Sequence, residues 1–162
     1  MRSIGFTGTR VGMTWRQFRM VSQVLRDYYG SRDLATEKPR IHLGDCLGAD
    51  METFALAEQL GFHTVGHLPA SKEHRAFCSY DEICGAADTY MNRNRHIVQE
   101  SNTLLAAPKG FEPEQRSGTW ATIRYAGKVG RLVTVVFPDG LVMHNYVGTM
   151  KRLAEHPEEI QG

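Results

Sequence analysis

Residues Arg40–Gly61 have the sequence RIHLGDCLGADMETFALAEQLG, and this stretch decides the fold. An apolar run ends at Gly44, a short segment with a second glycine follows, and an amphipathic segment completes the stretch. This order predicts a strand over 40–43, a glycine-bearing turn, and a helix over 50–60 that stops at Gly61. The turn has two interpretations, a phosphate-binding junction or an ordinary connection from strand to helix.

The same alternation of strands and helices extends over the rest of the chain. Further strands are predicted at 3–7, 63–68, 103–107 and 132–137, with a short returning edge strand at 141–143. Further helices are predicted from Thr14, at 90–101, at 118–126 and at 149–156. Two polar segments are interpreted as loops, 30–38 and 69–89, the second lying over the mouth of the sheet. This order predicts an α/β fold with a mostly parallel sheet.

The composition is that of a globular protein with balanced charge. Of 162 residues, 41% are hydrophobic and 23% charged, and 19 basic residues against 18 acidic ones leave a net charge of +1. This balance gives no electrostatic footprint for non-specific nucleic-acid binding. Without a signal peptide or a membrane-length apolar run, a cytoplasmic protein with no membrane contact is expected. The three cysteines and seven histidines form no metal-ligating pattern, so reduced thiols, no metal and no cofactor are expected.

Small, polar and basic residues follow the predicted strands. In parallel α/β sheets, ligands bind beyond the carboxyl ends of the strands, where the strand order reverses. The strand ends and the helix start beside them carry Gly8-Thr9-Arg10, Gly44-Asp45, Pro69, Pro108-Lys109-Gly110 with Ser117-Gly118-Thr119, and Pro138-Asp139-Gly140. A ligand site is therefore expected at this edge.

Two groups of residues in this set are suited to phosphate. Gly8 would let the backbone approach a ligand closely, the Thr9 hydroxyl can donate to a phosphate, and Arg10 can bind it through two N–H groups. A strand-to-helix loop with a solvated arginine is the alternative. Residues 117–119 open a helix, where hydroxyls and free N–H groups suit an anion, and an N-cap serine is compatible with that role.

The residues of the junction between 44 and 50 are expected to have different roles. Gly44 and Gly48 would expose backbone N–H groups to an anion at the helix N-terminus. Asp50 is interpreted either as a helix cap or as a ligand contact. Asp45 would repel a phosphate placed directly on it, so it is expected to face a sugar or a base.

The segment MNRNR at 91–95 places two arginines close together. Side chains two residues apart on a helix diverge by about 200°, so both cannot point at one phosphate. Arg93, with Asn94 beside it, is expected to face the site, and Arg95 to be structural. Trp120 could flank a base. Three other aromatic residues are expected in the core, namely Trp15, Phe18 and Tyr28.

Four blocks, taken in order, resemble the Rossmann-like SLOG superfamily, which includes the DprA/Smf DNA-processing proteins, the LOG-type phosphoribohydrolases and the small YpsA/YspA-like proteins. The blocks are FTGTR, HLGDCLGADMETFALAEQLGFHTVGHLP, NRNRHIVQESNTLLAAPKG and SGTWATIRYAGKVGRLVTVVFP, which together cover about Ile4 to Pro138. The length and the spacing of the blocks are most similar to the YspA-like branch. The resemblance implies a Rossmann-like three-layer sandwich with helices on both faces of the sheet. It further implies one domain over 1–162, with a core at about 3–138 and a C-terminal hairpin and helix at 139–162.

The resemblance also implies a pocket for a nucleotide or a nucleotide-derived molecule. Carried over by position, the pocket residues are Gly8, Thr9, Arg10, Gly44, Gly48, Asp50, Arg93, Asn94, Ser117, Gly118 and Thr119. LOG-type hydrolases carry PGGxGTxxE, whose glutamate assists cleavage of the N-glycosidic bond, and Thr122 stands in its place here. Without that carboxylate, LOG-type hydrolysis is not expected. The remaining candidates for a catalytic carboxylate are Asp45, Asp50 and Glu52.

Three functions are therefore compared. The first prediction is a module that binds a nucleotide or nucleotide-derived small molecule without catalysis. The alternatives are a nucleotide N-glycosidic-bond hydrolase, with a carboxylate at one of the three candidate positions, and a DprA-like binder of single-stranded DNA. Nucleic acid is the less favoured partner because the charge is balanced. Relatives often form dimers, so a homodimer stays an open alternative.

Overall fold

The computed structural model describes residues 2–31, 37–87 and 89–161. Its strands are β1 (Ser3–Gly8), β2 (Arg40–Leu43), β3 (His63–Pro69), β4 (Glu82–Ala87), β5 (Thr103–Ala107), β6 (Leu132–Val136) and β7 (Val142–Met143). They form one sheet in the order β4-β3-β2-β1-β5-β6-β7. Neighbouring strands are parallel except β6 and β7, which are antiparallel. The mostly parallel sheet and its antiparallel edge strand are confirmed.

Helices cover both faces of this sheet. They are α1 (Trp15–Gly30), α2 (Ala49–Leu60), α3 (Tyr90–Gln99), α4 (Gly118–Lys128) and α5 (Tyr146–Glu155), followed by a 3₁₀ turn at Pro157–Gln161. Helices α1 and α2 pack together, as do α3 and α4, with α5 against α4. On β1, Ile4 packs in the cluster with α1 and α2, whereas Gly5 faces Ile97 of α3, so the two helix pairs lie on opposite faces. Across the described segments, no helix is both long enough and apolar enough to cross a membrane.

Local sequence signals set several helix ends. The Thr14 hydroxyl accepts from the Gln17 N–H at 3.1 Å, and the Ser117 hydroxyl accepts from the Trp120 N–H at 3.3 Å. These are N-cap contacts that satisfy amides of the first helical turn. Gly61 closes α2 with a left-handed φ of 92°. The predicted starts of α1 and α4 and the end of α2 therefore follow from capping residues.

Two segments differ from the predicted elements. The segment 69–89 contains β4, which pairs with β3 at the sheet edge, and the predicted single loop is wrong there. Its sequence EICGAA lacks the alternation of β-branched and polar residues by which strands are recognised. The last helix begins at Tyr146 and not at 149. Of the predicted loop 30–38, residues 32–36 lie outside the described residues.

The sheet separates two hydrophobic clusters. One lies against α1 and α2 and includes Phe6, Leu25 and Leu43, while the other lies against α4 and α5. Trp120 belongs to the second cluster, is 2% exposed and packs 5.8 Å from the ring of Tyr146. It therefore fills the core and does not flank a ligand.

Of the three aromatic residues predicted to lie in the core, one packs against it and two are exposed. Tyr28 packs against the first cluster, as predicted. Trp15 and Phe18 are 67% and 36% exposed, so their assignment to the core is wrong. Both lie at the start of α1, where the buried position is the polar Gln17, whose amide donates to the carbonyls of Pro108 and Val136. The apolar spacing therefore did not mark the buried face of this turn.

Two histidines on neighbouring strands, one on β2 and one on β3, contact each other on the face of the sheet that α3 covers. His42 Nδ1 and His67 Nε2 lie 2.8 Å apart, and both side chains are buried. Burial is the main cause that lowers the pKa of His42 to about 4 and that of His67 to about 3. Both imidazoles are therefore neutral near pH 7.

We expect the free energy of unfolding to fall as the pH decreases from about 6.5 toward 4. In this range the unfolded chain protonates His42 and His67 while the native state does not, so acid favours unfolding. Burial raises the pKa of Asp50 to about 6, so below that pH the native state protonates Asp50 first, which offsets one of the two histidine protons and leaves a net loss of stability. Each proton contributes a slope of up to about 1.4 kcal/mol per pH unit. Urea unfolding between pH 4.5 and 7 measures this slope. His67→Gln removes one titrating group and is expected to flatten it, and an unchanged slope would contradict the assignment.

Candidate functional site

A cavity of about 370 Å³ opens at the carboxyl edge of the sheet, between the ends of β1 and β5. The strand order reverses there, since the chain runs from β1 to β2 on one side and from β5 to β6 on the other. This is where ligands bind in open α/β sheets, and the volume is within the range of small-molecule sites. Its lining consists of residues 6–11, Cys46, Asp50, Tyr90, Arg93, Asn94, Ile97, Lys109, Glu114 and residues 116–119.

Cationic side chains outnumber acidic ones in this lining by four to two. The cations are Arg10, Arg93, Lys109 and Arg116, and the acids are Asp50 and Glu114. The chain as a whole carries a charge of only +1, so positive charge is concentrated at the cavity. Such a cavity attracts anions.

The N-terminus of α4 faces the cavity. Gly118 and Thr119, its first two residues, belong to the lining together with the N-cap Ser117. Because an α-helix offers no carbonyl partner to the amides of its first turn, these N–H groups are available to a ligand. The positive end of the helix dipole adds to the attraction for an anion. The structure thus brings residues 117–119 to the cavity.

The connection between β1 and α1 forms a second wall. Gly8, Thr9 and Arg10 all line the cavity. A Cβ at Gly8 would lie 2.6 Å from the Cβ of Ala49, so this glycine lets the strand end pack against α2. The Thr9 N–H donates to the carbonyl of Ala107 at 3.0 Å, and the Thr9 carbonyl accepts from the Ala49 N–H at 2.9 Å. These bonds hold the wall to β5 and to α2.

Three amides of the junction between β2 and α2 are already paired within the protein. The Cys46 N–H donates to Asp50 Oδ2 at 3.1 Å, and the Leu47 N–H donates to the carbonyl of His74 at 2.8 Å. The Ala49 N–H is used by the β1–α1 connection. These three N–H groups are therefore used by the protein itself, and the expected anion contact at this helix N-terminus stays a prediction.

The two glycines of that junction make room for the chain itself. A Cβ at Gly44 would lie 2.7 Å from Arg93 Nη1. Gly48 has a φ of 86°. A Cβ added at Gly48 would contact the carbonyl group of Arg10 and lie 2.6 Å from the carbonyl oxygen of Thr9. Both glycines lie behind the cavity lining, so they allow close packing of the walls rather than close approach of a ligand.

Asp45 lies away from the cavity, contrary to the prediction that it faces a sugar or a base. Its carboxylate is fully buried and accepts from Arg75 Nε at 2.8 Å, from the Cys78 N–H at 3.0 Å and from the Tyr80 hydroxyl at 3.2 Å. All three donors come from the segment 71–80. Asp45 therefore anchors that segment beside the end of β2.

Of the three carboxylates considered for catalysis, Asp50 lines the cavity. It is buried in the first turn of α2, and burial raises its pKa to about 6 against the opposing effect of Arg93. Its carboxylate accepts from the Cys46 N–H and thus makes a local bond that resembles a cap. Glu52 instead accepts from the Met13 N–H at 2.8 Å and supports the β1–α1 connection.

The two arginines of α3 point in different directions. Arg93 is 3% exposed and forms part of the cavity wall, where it donates to the carbonyl of Gly44 and, through Nε, to Asn94 Oδ1 at 2.7 Å. Arg95 is exposed, and its guanidinium lies 5.5 Å from the ring centroid of Tyr125 on α4. The structure therefore places Arg93 and Asn94 at the cavity and Arg95 outside it, as helical spacing predicts.

Thr122 lies in the core and not at the cavity. It is fully buried, and its hydroxyl donates to the carbonyl of Gly118 at 2.7 Å. A glutamate at this position of α4 would be buried inside the protein. The chain thus lacks the carboxylate of the LOG-type motif, and residue 122 does not line the cavity.

Sequence reasoning did not select Tyr90, Glu114 and Arg116, which also line the cavity. Glu114 and Arg116 belong to the loop after β5, one of the two strands between which the strand order reverses. Knowledge of the strand order would therefore have placed them at the cavity. The aromatic residue at the start of α3 carried no sequence signal. In the described ranges, no group of three histidine, cysteine, aspartate or glutamate side chains is placed to share a metal ion.

Two solved structures resemble this fold. The protein TM1055 has a TM-score of 0.57 and 14% identity over 82% of this chain and 72% of its own. DNA processing protein A (DprA) from Streptococcus pneumoniae has a TM-score of 0.61 and 19% identity, and the match covers 83% of this chain and half of that structure. The likeness confirms the Rossmann-like α/β fold and, at the level of the fold, the resemblance to SLOG proteins. No family model and no curated protein matches the chain. The narrower YspA-like assignment stays a prediction.

Proposed function

We propose that this protein binds a nucleotide or a nucleotide-derived molecule, with a phosphate at the N-terminus of α4. The observation that supports this most is the meeting of two features at one cavity. The first turn of α4 at Gly118 and Thr119 opens onto a lining with two excess positive charges. Free amides and cationic side chains together are the usual means of holding a phosphate.

The remaining lining favours a ligand larger than phosphate. The volume of about 370 Å³ exceeds what one phosphate fills, and Phe6, Tyr90 and Ile97 add apolar and aromatic surface. Asn94 adds an amide group that can both donate and accept. A sugar and a base joined to the phosphate would use these surfaces.

A second candidate function is hydrolysis of a nucleotide N-glycosidic bond, and Asp50 is the observation that favours it. Its buried carboxyl group lines the cavity, and its pKa of about 6 leaves it mostly ionised at pH 7. A carboxylate there could stabilise positive charge at the anomeric carbon or activate water. DNA binding is a weaker alternative, because the chain spans half of the DprA structure and carries a charge of +1.

The proposal is tested by calorimetric titration with AMP and adenosine, after a thermal-shift screen that includes ADP-ribose and cyclic dinucleotides. AMP is expected to bind and adenosine to bind at least tenfold more weakly, since charge-assisted hydrogen bonds contribute about 1.5–3 kcal/mol each. Combined Lys109→Gln and Arg116→Gln substitution is expected to weaken AMP binding about tenfold or more. Combined Lys128→Gln and Lys151→Gln substitution is the matched control, since it also removes two exposed positive charges but at positions outside the cavity lining.

Equal affinity for AMP and adenosine would contradict the phosphate assignment. Chromatographic detection of free base separates binding from hydrolysis. Binding without turnover supports the first function, whereas multiple-turnover release that Asp50→Asn abolishes would establish the second.

A further inference from the structure

Tyr90 presents its ring to the cavity from the first position of α3. Its hydroxyl donates to the carbonyl of Glu73 at 3.0 Å, which fixes the far end of the ring to the segment that Asp45 anchors. Two guanidinium groups lie near the ring centroid, that of Arg10 at 4.7 Å and that of Arg93 at 5.6 Å. Tyr90 is therefore a fixed aromatic surface with cations beside it.

The two cations differ in how firmly they are held. Arg93 is buried and donates to carbonyl and amide oxygens of the protein. Arg10 is exposed, and among the described residues no carboxylate lies within ion-pair distance of it. Exposed cation–π contacts are worth only about 0.5–1 kcal/mol. Arg10 can therefore leave the ring of Tyr90 at low cost, whereas Arg93 cannot leave its place.

A guanidinium is planar, and that of Arg10 occupies the position over Tyr90 where another planar group would stack. Nucleobases stack on aromatic side chains because every base has a π-face, at about 1–3 kcal/mol per base. The phosphate-binding end of the cavity, residues 117–119, lies in the same lining as this ring. One molecule with a phosphate and a base can therefore use both.

We infer that Tyr90 is the stacking platform for the base of the ligand and that Arg10 moves off the ring when the base binds. This inference rests on the proposed function. It narrows the ligand from any sugar phosphate to a nucleotide that retains its base. Tyr90 is thus a specificity-determining residue, because it distinguishes a nucleotide from the sugar phosphate that remains when the base is lost.

The test compares AMP with ribose 5-phosphate in the parent protein, in Tyr90→Leu and in Tyr90→Phe. Tyr90→Leu is expected to weaken AMP binding about tenfold and to leave ribose 5-phosphate binding unchanged. Tyr90→Phe keeps the ring and is expected to bind AMP within about twofold of the parent. Unchanged AMP affinity in Tyr90→Leu, or equal losses for both ligands, would overturn the inference while leaving the proposed function in place.

Failure of the parent protein to bind either compound would instead contradict the proposed function. A second measurement covers the case in which Tyr90→Leu does not fold. In the parent protein with ring-labelled tyrosine, nuclear Overhauser contacts between Tyr90 ring protons and the adenine protons of AMP are expected. Bound AMP without such contacts would overturn the stacking role.

Discussion

Arg93→Met is expected to lower the free energy of unfolding at pH 7 by about 3–5 kcal/mol and to abolish AMP binding. The guanidinium is buried and donates to the carbonyls of Gly44 and His67, and its removal leaves both without this donor. Asp50 also loses the cation that lowers its pKa, so a buried carboxylate is left uncompensated. Urea unfolding with calorimetric titration of AMP measures both effects.

The same reasoning gives a pH dependence for Arg93→Met. The pKa of Asp50 is already raised to about 6, and without Arg93 it rises further. Protonation of the native carboxyl group at pH 5 then relieves part of the penalty, so the stability lost relative to the parent is smaller at pH 5 than at pH 7. Arg95→Met, an exposed change on the same helix, is the control and is expected to cost no more than about 1 kcal/mol. Equal losses in the two variants would show that Arg93 is not the structural centre of this wall.

Gly48→Val is expected to destabilise the protein by about 2–6 kcal/mol. The φ of 86° is unfavourable for a β-branched residue, at about 1–3 kcal/mol, and the added side chain would press on the carbonyls of Thr9 and Arg10 at an overpacking cost of about 1–3 kcal/mol. The displaced wall includes two residues of the cavity, so AMP binding is expected to fall as well. Urea unfolding and AMP titration are the measurements.

Gly85→Val is the matched control for Gly48→Val. Gly85 lies exposed on β4 with nothing within 4 Å of an added Cβ, and a β-branched residue suits a strand. The free energy of unfolding of the Gly85→Val variant is expected to stay within about 1 kcal/mol of that of the parent protein. If Gly48→Val were as stable as Gly85→Val, the close contact between the two connections would be refuted.

Local patterns predicted the elements that build the cavity. The strand and helix of Arg40–Gly61, the caps at Thr14 and Ser117, and the opposite directions of Arg93 and Arg95 all depend on residues within a turn or two of one another. Periodicity and capping act over such distances, so one sequence suffices for them. The edge strand β4 was missed because its short, alanine- and glycine-bearing sequence lacks that periodicity.

The roles of Asp45, Gly44 and Gly48 depended on partners far along the chain. The local sequence around Asp45, an aspartate after a buried strand, is equally compatible with a ligand contact and with a structural role. Its hydrogen-bond donors lie in the segment 71–80, about 30 residues later in the chain. Likewise, a glycine in the sequence does not show which group packs close to its Cα. At Gly44 that group is Arg93, and at Gly48 it is the β1–α1 connection. Tertiary packing decides such questions, and a single sequence does not record it.

The central position of β1 has a consequence for the order of folding. β1 pairs with β2 in the register Ser3 to Arg40, but with β5 in the register Ile4 to Thr103, about a hundred residues later. Pairings of such long range are slow to form because the intervening chain must first lose conformational entropy. The cavity takes one wall from each side of β1, so it does not exist until the later pairing is complete. If the proposed AMP binding is present, we expect its recovery during refolding to mark the joining of the two halves of the sheet and to follow the appearance of the helices.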